Sequence, residues 1–467
     1  MTTRSEEAPL DPRRHDREIL RLAVPAFFAL VAEPLFLLGD AAIVGRLGTV
    51  ELAGLGVAGV VLQSAVGLCV FLAYGTTAGV ARRLGAHDRR GALALGIDGL
   101  WLAVLIGALV TVAGVVLTGP LVSLFDAGPE VGEQAVAYLR PAFLGTVPLL
   151  VLLAGTGVLR GLQDTTTPLV VAAAGAALNV PLNALLVYGP GPLPTLGIAG
   201  SAYGSVIAQT LSALALVAVV VRAARREGAR LSPSRTGVVG AARAGVPLVV
   251  RTLTLRVALL LTAYAVTAGI SGGTAAGTGA GGPATIATHQ LAMTLWTFLA
   301  FVLDAIAIAA QAITGRFLGA GDVAGTRAVT ARMVRWGMGA GVVTGLGLAA
   351  LSPVLGPLFT PDPAVADLLV PVLLVAAVLQ PVAGVVFVLD GVLIGAGDGR
   401  YLALAGLVAL LVYAPVLLAA ATLTDGTAGL VAVWVAFAGV FMGGRLVTLL
   451  VRARGDRWLV TGAEVRP

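Results

Sequence analysis

Residues Leu30 to Gly48 read LVAEPLFLLGDAAIVGRLG, and they set two carboxylates and a proline inside the first apolar run of the chain. A carboxylate near the middle of a bilayer costs roughly 3 kcal/mol on insertion scales, so it is expected to face a protein interior or a water-filled cavity. Glu33 and Asp40 are seven residues apart, which in a helix is about 10 Å along the axis and about 20° from the same face. Pro34 lacks an amide proton and its ring clashes with the carbonyl of Leu30. A kink or break is therefore expected there, with Pro34 as a hinge beside the acids.

The whole chain shares this apolar character. Of its 467 residues, 58% are hydrophobic and 12% charged, with a mean hydropathy of +0.97, which reads as an all-α integral membrane protein whose solvent is the lipid bilayer. About twelve runs of at least ~20 residues are long enough to span it. They cover 19–45, 52–80, 91–118, 132–158, 168–188, 198–223, 244–270, 285–314, 328–352, 366–394, 401–423 and 427–451.

All 30 basic residues are arginines, and their distribution argues for topology rather than a nucleic-acid partner. They gather in the N-terminal tail (Arg4, Arg13, Arg14, Arg17), the second, central and eighth connections, and the C-terminal tail. The odd connections carry Asp126, Glu130, Asp362, Asp367 and Asp425, with Arg46 the main exception. The positive-inside rule then predicts cytoplasmic termini in the inner (plasma) membrane. Cys69 is the single cysteine, which leaves no internal disulfide. The first run is too long for a cleaved signal and has no small-residue cleavage site, so it is read as its own insertion signal. There is no GxxxxGK[ST] loop, no Cys/His cluster and no HExxH. Neither an enzyme nor a resident cofactor is expected, and transport energy should come from an ion gradient.

An internal repeat organises the runs. Leu84-Gly85-Ala86 recurs as Leu318-Gly319-Ala320, Asp164 as Asp398 and Pro181 as Pro415, all at an offset of 234 residues. Pro25 and Pro247 differ by 222, a shortfall matched by the Gly/Ala/Thr/Ser run Ser271 to Gly282, read as an inserted external loop. The expected domains are an N-terminal lobe of six helices (1–225), a cytoplasmic linker (226–243) and a C-terminal lobe of six helices (244–467). The pseudo-symmetric lobes should surround a central cavity. Asp40, Asp304 and Asp390 have no acidic mate in the other half, which marks each as a specialised residue, with pairing to Arg251 or Arg256 as the plain alternative. Asn179 and Asn183 flank Pro181 one turn apart and suit a protonated carboxyl or a cation, or simple helix-to-helix bonding. Snorkelling accounts for Asp98, Arg140 and Arg445, and His289 and Gln290 are read as interfacial.

Several motifs now coincide in order: EPLFLLGDAAIVGRLG, LRGLQDTTTPL (Leu159 to Leu169), NVPLN, GIAGSAYGSVIAQ (Gly197 to Gln209), RTLTLR (Arg251 to Arg256), LDAIAIAAQAITGRFLGAGD (Leu303 to Asp322) and LDGVLIGAGD (Leu389 to Asp398). Together they resemble the multidrug and toxic compound extrusion family, in its DinF-like branch. The resemblance implies two six-helix lobes, an outward-facing V-shaped cavity and export coupled to inward proton flow, with sodium the second candidate. It also implies that Asp40 is the coupling acid, that Asn179 and Asn183 are its partners and that a bent first helix moves. Asn183 stands where several relatives have aspartate, and Glu33 could compensate in part. The seventh-helix acid of the NorM-like branch is absent, leaving Asp304, Asp390 and Arg251 as C-lobe candidates. An acidic surplus in the cavity favours amphipathic organic cations or neutral aromatics, carried by a monomer. The alternative within the same superfamily is a flippase for a lipid-linked or amphipathic lipid. A major-facilitator carrier shares the half-repeat logic, but its loop motif is matched only with altered spacing.

Overall fold

The computed structural model describes residues 12–190, 194–269, 282–424 and 426–463. The inserted loop expected from Ser271 lies outside them as far as residue 281, as do Arg4 and Asp425. Every regular element among the described residues is a helix: α1 (Pro12–Val44), α2 (Thr49–Leu68), α3 (Phe71–Gly85), α4 (Arg89–Ser123), α5 (Pro129–Leu144), α6 (Thr146–Gly161), α7 (Thr166–Tyr188), α8 (Ile198–Arg226), α9 (Arg235–Tyr264), α10 (Pro283–Gly319), α11 (Val323–Phe359), α12 (Pro363–Gly395), α13 (Gly399–Leu423), α14 (Gly426–Trp434) and α15 (Met442–Arg454). A π-turn extends α9 over Ala265–Gly269, and another joins α14 to α15 over Val435–Phe441. Among the described residues eleven spans are long and apolar enough to cross a bilayer, with α2 and α3 forming one of them, and the bent pair α5 and α6 makes a twelfth. Large apolar side chains along them stand exposed, among them Leu109 at 69%, Leu411 at 73% and Val378 at 75%. In water this would be unfavourable, whereas in lipid it is the solvated surface.

Helix α1 is continuous through Pro25 and Pro34, so of the kink or break expected at Pro34 a break is not found. A bend of 50° falls between α5 and α6. Pro148 sits in the first turn of α6, where its ring opposes the carbonyl of Leu144, four residues back, and it cannot donate to it. At the corner, a Cβ on Gly145 would lie 2.8 Å from Gln209 Oε1.

The chain forms two compact units. One contains Val24–Val249 with Gly319–Gly321 and the tail from Thr461. The other contains the start of α1 up to Ala23, Val250–Leu318 and Asp322–Val460. The chain thus changes unit within α1 and again within α9. Ion pairs hold the two lead segments. Asp16 of α1 accepts bonds from Arg332 Nε at 2.6 Å and Trp336 Nε1 at 2.7 Å, and Glu18 pairs with Arg316. In the other unit, Asp98 of α4 is 2% exposed and accepts from Arg230 Nη2 at 2.5 Å and the Ser234 amide at 2.8 Å. Asp98 is therefore not a snorkelling residue, as the sequence suggested, but a buried anchor for the segment that leads into α9. Arg82, read as one of the inside charges, is fully buried and donates to the Gly462 carbonyl.

The repeat is visible in backbone detail. Asp88 caps α4 by accepting from the Gly91 amide at 2.7 Å, and Asp322 caps α11 from Gly325 at 2.6 Å. His87 and Gly321 are both left-handed, as are Gln163 and Gly397, and each pair lies 234 residues apart. Asp98 and Arg332 share the same offset with opposite charge.

Helices α11 and α12 meet backbone to backbone. A Cβ on Gly337, Gly341 or Gly345 would lie 2.6, 2.5 and 2.5 Å from the carbonyl oxygens of Gly384, Gln380 and Ala377. Four-residue spacing puts these glycines on one face, the small-residue seam that lets membrane helices approach closely. Gly339 meets nothing within 4 Å. Overpacking predicts that Gly341→Leu destabilises by at least about 1–3 kcal/mol, while Gly339→Leu is close to neutral. Thermal unfolding in detergent checks both, and equal effects would reject the seam.

Candidate functional site

Asp40 is 1% exposed, and its carboxylate is surrounded by amide and hydroxyl groups from three other helices. Asn183 Nδ2 donates to Asp40 Oδ1. Ser205 Oγ donates to Oδ2 at 3.2 Å and Tyr138 OH to the same oxygen at 3.4 Å. Behind them, Asn179 Nδ2 donates to Ser205 Oγ at 2.9 Å, and Asn183 Nδ2 also faces Asn179 Oδ1 at 3.3 Å and Ser201 Oγ at 3.4 Å. Both asparagines are fully buried. No ion pair reaches Asp40 among the described residues.

The local sequence explains how this cage closes. One turn separates Asn179 from Asn183, so both amides project from one face of α7. Gly200 and Gly204 of α8 allow the α7 backbone to come close: a Cβ on Gly200 would strike the Leu186 carbonyl, and one on Gly204 would strike Asn183 Oδ1. Ser201 and Ser205 each follow a glycine and deliver the hydroxyls. On α1, Gly39 leaves 3.2 Å to Val180, and Tyr188 OH donates to the Ile43 carbonyl at 2.7 Å. The sequence reading missed Tyr138, Ser201 and Ser205. The paired Gly-Ser steps in GSAYGS were the available signal for the serines. Tyr138 had none, because α5 approaches α1 only in three dimensions.

The remaining candidates are dispersed. Glu33 is exposed and joins no part of the cage. Asp304 is half-buried on α10. Asp390 is 5% exposed and held by Arg251, with Nε at 3.2 Å from Oδ1 and Nη2 on Oδ2, and by Arg445 Nη2 at 3.1 Å. For Asp390 this is the pairing with Arg251 that the sequence offered as the plain alternative, and it corrects one expectation, since Arg445 does not snorkel. It also weakens the acidic surplus, because Asp390 is outnumbered by its own partners. Arg256 is exposed. His289 is buried and packs edge-on against Trp434, with ring centroids 5.8 Å apart, so it is not interfacial, whereas Gln290 is exposed. At the positions matching Asp40 and Asn179 by the repeat, Thr262 and Tyr413 share a hydroxyl bond of 2.5 Å. Only the N-terminal half puts a charge there.

The two buried acids therefore differ chemically. A proton on Asp390 would leave two guanidinium groups buried without their anion, which is costly. A proton on Asp40 leaves only neutral donors behind. The new hydroxyl has an acceptor at hand, since Asn183 Oδ1 is buried without a hydrogen bond and a turn of the amide would present it to the carboxyl.

The sequence model of the MatE family matches residues 25–185 and 254–418. Protein DETOXIFICATION 44, chloroplastic, of Arabidopsis thaliana is 30% identical over 452 residues, covering 92% of this chain and 80% of its own. Multidrug resistance protein PmpM of Pseudomonas aeruginosa is 28% identical, covering 75% and 72%. DNA damage-inducible protein F of Escherichia coli is 28% identical, covering 66% and 64%. The bent form of the Vibrio cholerae MATE transporter VcmN matches with a TM-score of 0.84 over 96% of this chain and 99% of that one, at 20% identity, a likeness of fold.

The contrast between the acids predicts different costs of neutralisation. Asp390→Asn should destabilise by about 3–5 kcal/mol by stranding Arg251 and Arg445, and Asp40→Asn by about 1–3 kcal/mol. Unfolding of the purified variants measures both, and a larger loss for Asp40→Asn would overturn this ranking.

Proposed function

The chain belongs to the MatE family of membrane transporters, matched across both halves, and from that premise we propose that it is a secondary antiporter. It exports amphipathic organic cations or neutral aromatics in exchange for protons moving inward across the inner (plasma) membrane, with both termini cytoplasmic. The observation that carries this reading is Asp40, a buried carboxylate met by amide and hydroxyl donors and by no cation. Such a group can gain and lose a proton without stranding a buried positive charge. Proton binding removes the charge that draws Asn183, Ser205 and Tyr138 onto α1, so it loosens α1 from α5, α7 and α8. That is a physical link between coupling ion and helix movement.

A stoichiometry of one follows from Asp40 being the one buried acid in this reading whose partners are all neutral. An inward proton releases about 2.3 kcal/mol per 100 mV and about 1.4 kcal/mol per unit of pH difference. A monovalent cation leaving in exchange cancels the electrical part and is driven by the pH difference alone. A second proton on Asp390 is disfavoured by its two arginines.

Reconstituted protein tests this directly. Export of tetraphenylphosphonium should follow an imposed pH difference, remain unchanged when the potential is stepped at fixed pH, and be lost in Asp40→Asn. Voltage dependence would reject one-for-one exchange, and a sodium gradient sufficing alone would reject the proton. Wild-type rates in folded Asp40→Asn would reject Asp40 as the coupling acid.

A further inference from the structure

The ends of α4, α5 and α8 enclose an open cleft of about 860 Å³ that shares no residue with the Asp40 cage. Its polar lining is Ser123, Asp126, Glu133, Arg140 and Tyr203. The side chains of Asp126, Glu133 and Arg140 are exposed, and none makes a hydrogen bond or ion pair among the described residues. Around the cleft the helices present exposed apolar groups, Val116 at 71%, Leu117 at 47%, Leu144 at 49% and Ile207 at 41%. The cleft is thus a charged hollow on helices that also present exposed apolar side chains.

The order of charge along α5 gives the site its chemistry. Arg140 lies eleven residues from the helix start at Pro129, about 17 Å along the axis, against a hydrocarbon core about 30 Å thick. The guanidinium of Arg140 is exposed, lines the cleft and has no partner among the described residues, so it is free to meet an anion there. Glu133 sits two turns nearer the helix start on the same face, about 10 Å from Arg140 along the axis, and Asp126 lies beyond it in the connection to α4. The cleft therefore offers a cation receptor at its mouth and an anion receptor beneath. A phospholipid with an amine headgroup carries the complementary order, ammonium outermost and phosphate below it.

We propose that this cleft binds one zwitterionic aminophospholipid from the leaflet facing the Leu124–Gly128 connection. Its phosphate lies on Arg140, with Tyr203 in the same lining, and its ammonium lies on Glu133 and Asp126. The acyl chains follow the apolar surfaces of α4 and α8. Charge-assisted bonds at both ends select this headgroup over one with a single sign. Tyr138 stands two residues from Arg140 and about 160° around α5, so a lipid held here braces the helix that places Tyr138 on Asp40.

Native mass spectrometry of the full-length protein in detergent, with phosphatidylethanolamine, phosphatidylglycerol or phosphatidylcholine added, tests the assignment. Expected is a single phosphatidylethanolamine retained at least fivefold over the other two. Arg140→Gln should lower that retention at least fivefold. Glu133→Gln should abolish the preference over phosphatidylglycerol, and it decides the matter alone if Arg140→Gln fails to fold. Arg46→Gln, which changes an exposed arginine outside the cleft, should bind as the wild type does. Equal retention of the three lipids, an unaltered preference in Glu133→Gln, an equal loss in Arg46→Gln, or displacement by equimolar soluble glycerophosphoethanolamine would each overturn the proposal.

Discussion

Hydrocarbon supplies no hydrogen bonds, so each polar group carried into the membrane must find its partners within the protein. Three buried carboxylates meet that requirement in three ways. Asp98 is answered by an arginine and a backbone amide, Asp390 by two arginines, and Asp40 by an amide and two hydroxyls. The first two are ion pairs whose members depend on each other's charge. The third is a set of neutral donors, none of which carries a charge that depends on the carboxylate.

The repeat shows what evolution kept and what it changed. Helix caps and left-handed turns recur in both halves because they end helices, a task independent of charge. The interior positions diverge. Asp40 and Asn179 correspond to Thr262 and Tyr413, which bond to each other without charge. Asp98 corresponds to Arg332, and each finds a partner of opposite sign in a segment that leads into the first helix of a half. The fold is duplicated, whereas the electrostatics are specific to each half.

Helix α1 joins these themes. Its first turns are tied by Asp16 and Glu18 within one unit, and its later turns are tied by Asp40 within the other. A change of charge on Asp40 therefore acts on a helix whose far end is separately restrained, and the two prolines between them lie in continuous helix. The 50° corner between α5 and α6 has Pro148 in the first turn of α6.

The membrane class, the helical spans, the two-fold repeat and Asp40 as a candidate are legible along the chain, because hydrophobic length, periodicity and repeat offsets are properties of local order, whereas Asn179 and Asn183 became its partners only through the family resemblance. The partners of each charge were decided only by tertiary structure. Arg251 and Arg445 on Asp390, Arg230 on Asp98, and Tyr138 and Ser205 on Asp40 are contacts between helices remote in sequence, and nothing along the chain sets the rotation of one helix against another. Glu33 shows the same limit from the other side. Seven-residue spacing put it on the wall of Asp40, but the packing of α1 left it exposed, since a shared helical face becomes a shared site only where another helix covers both ends of it.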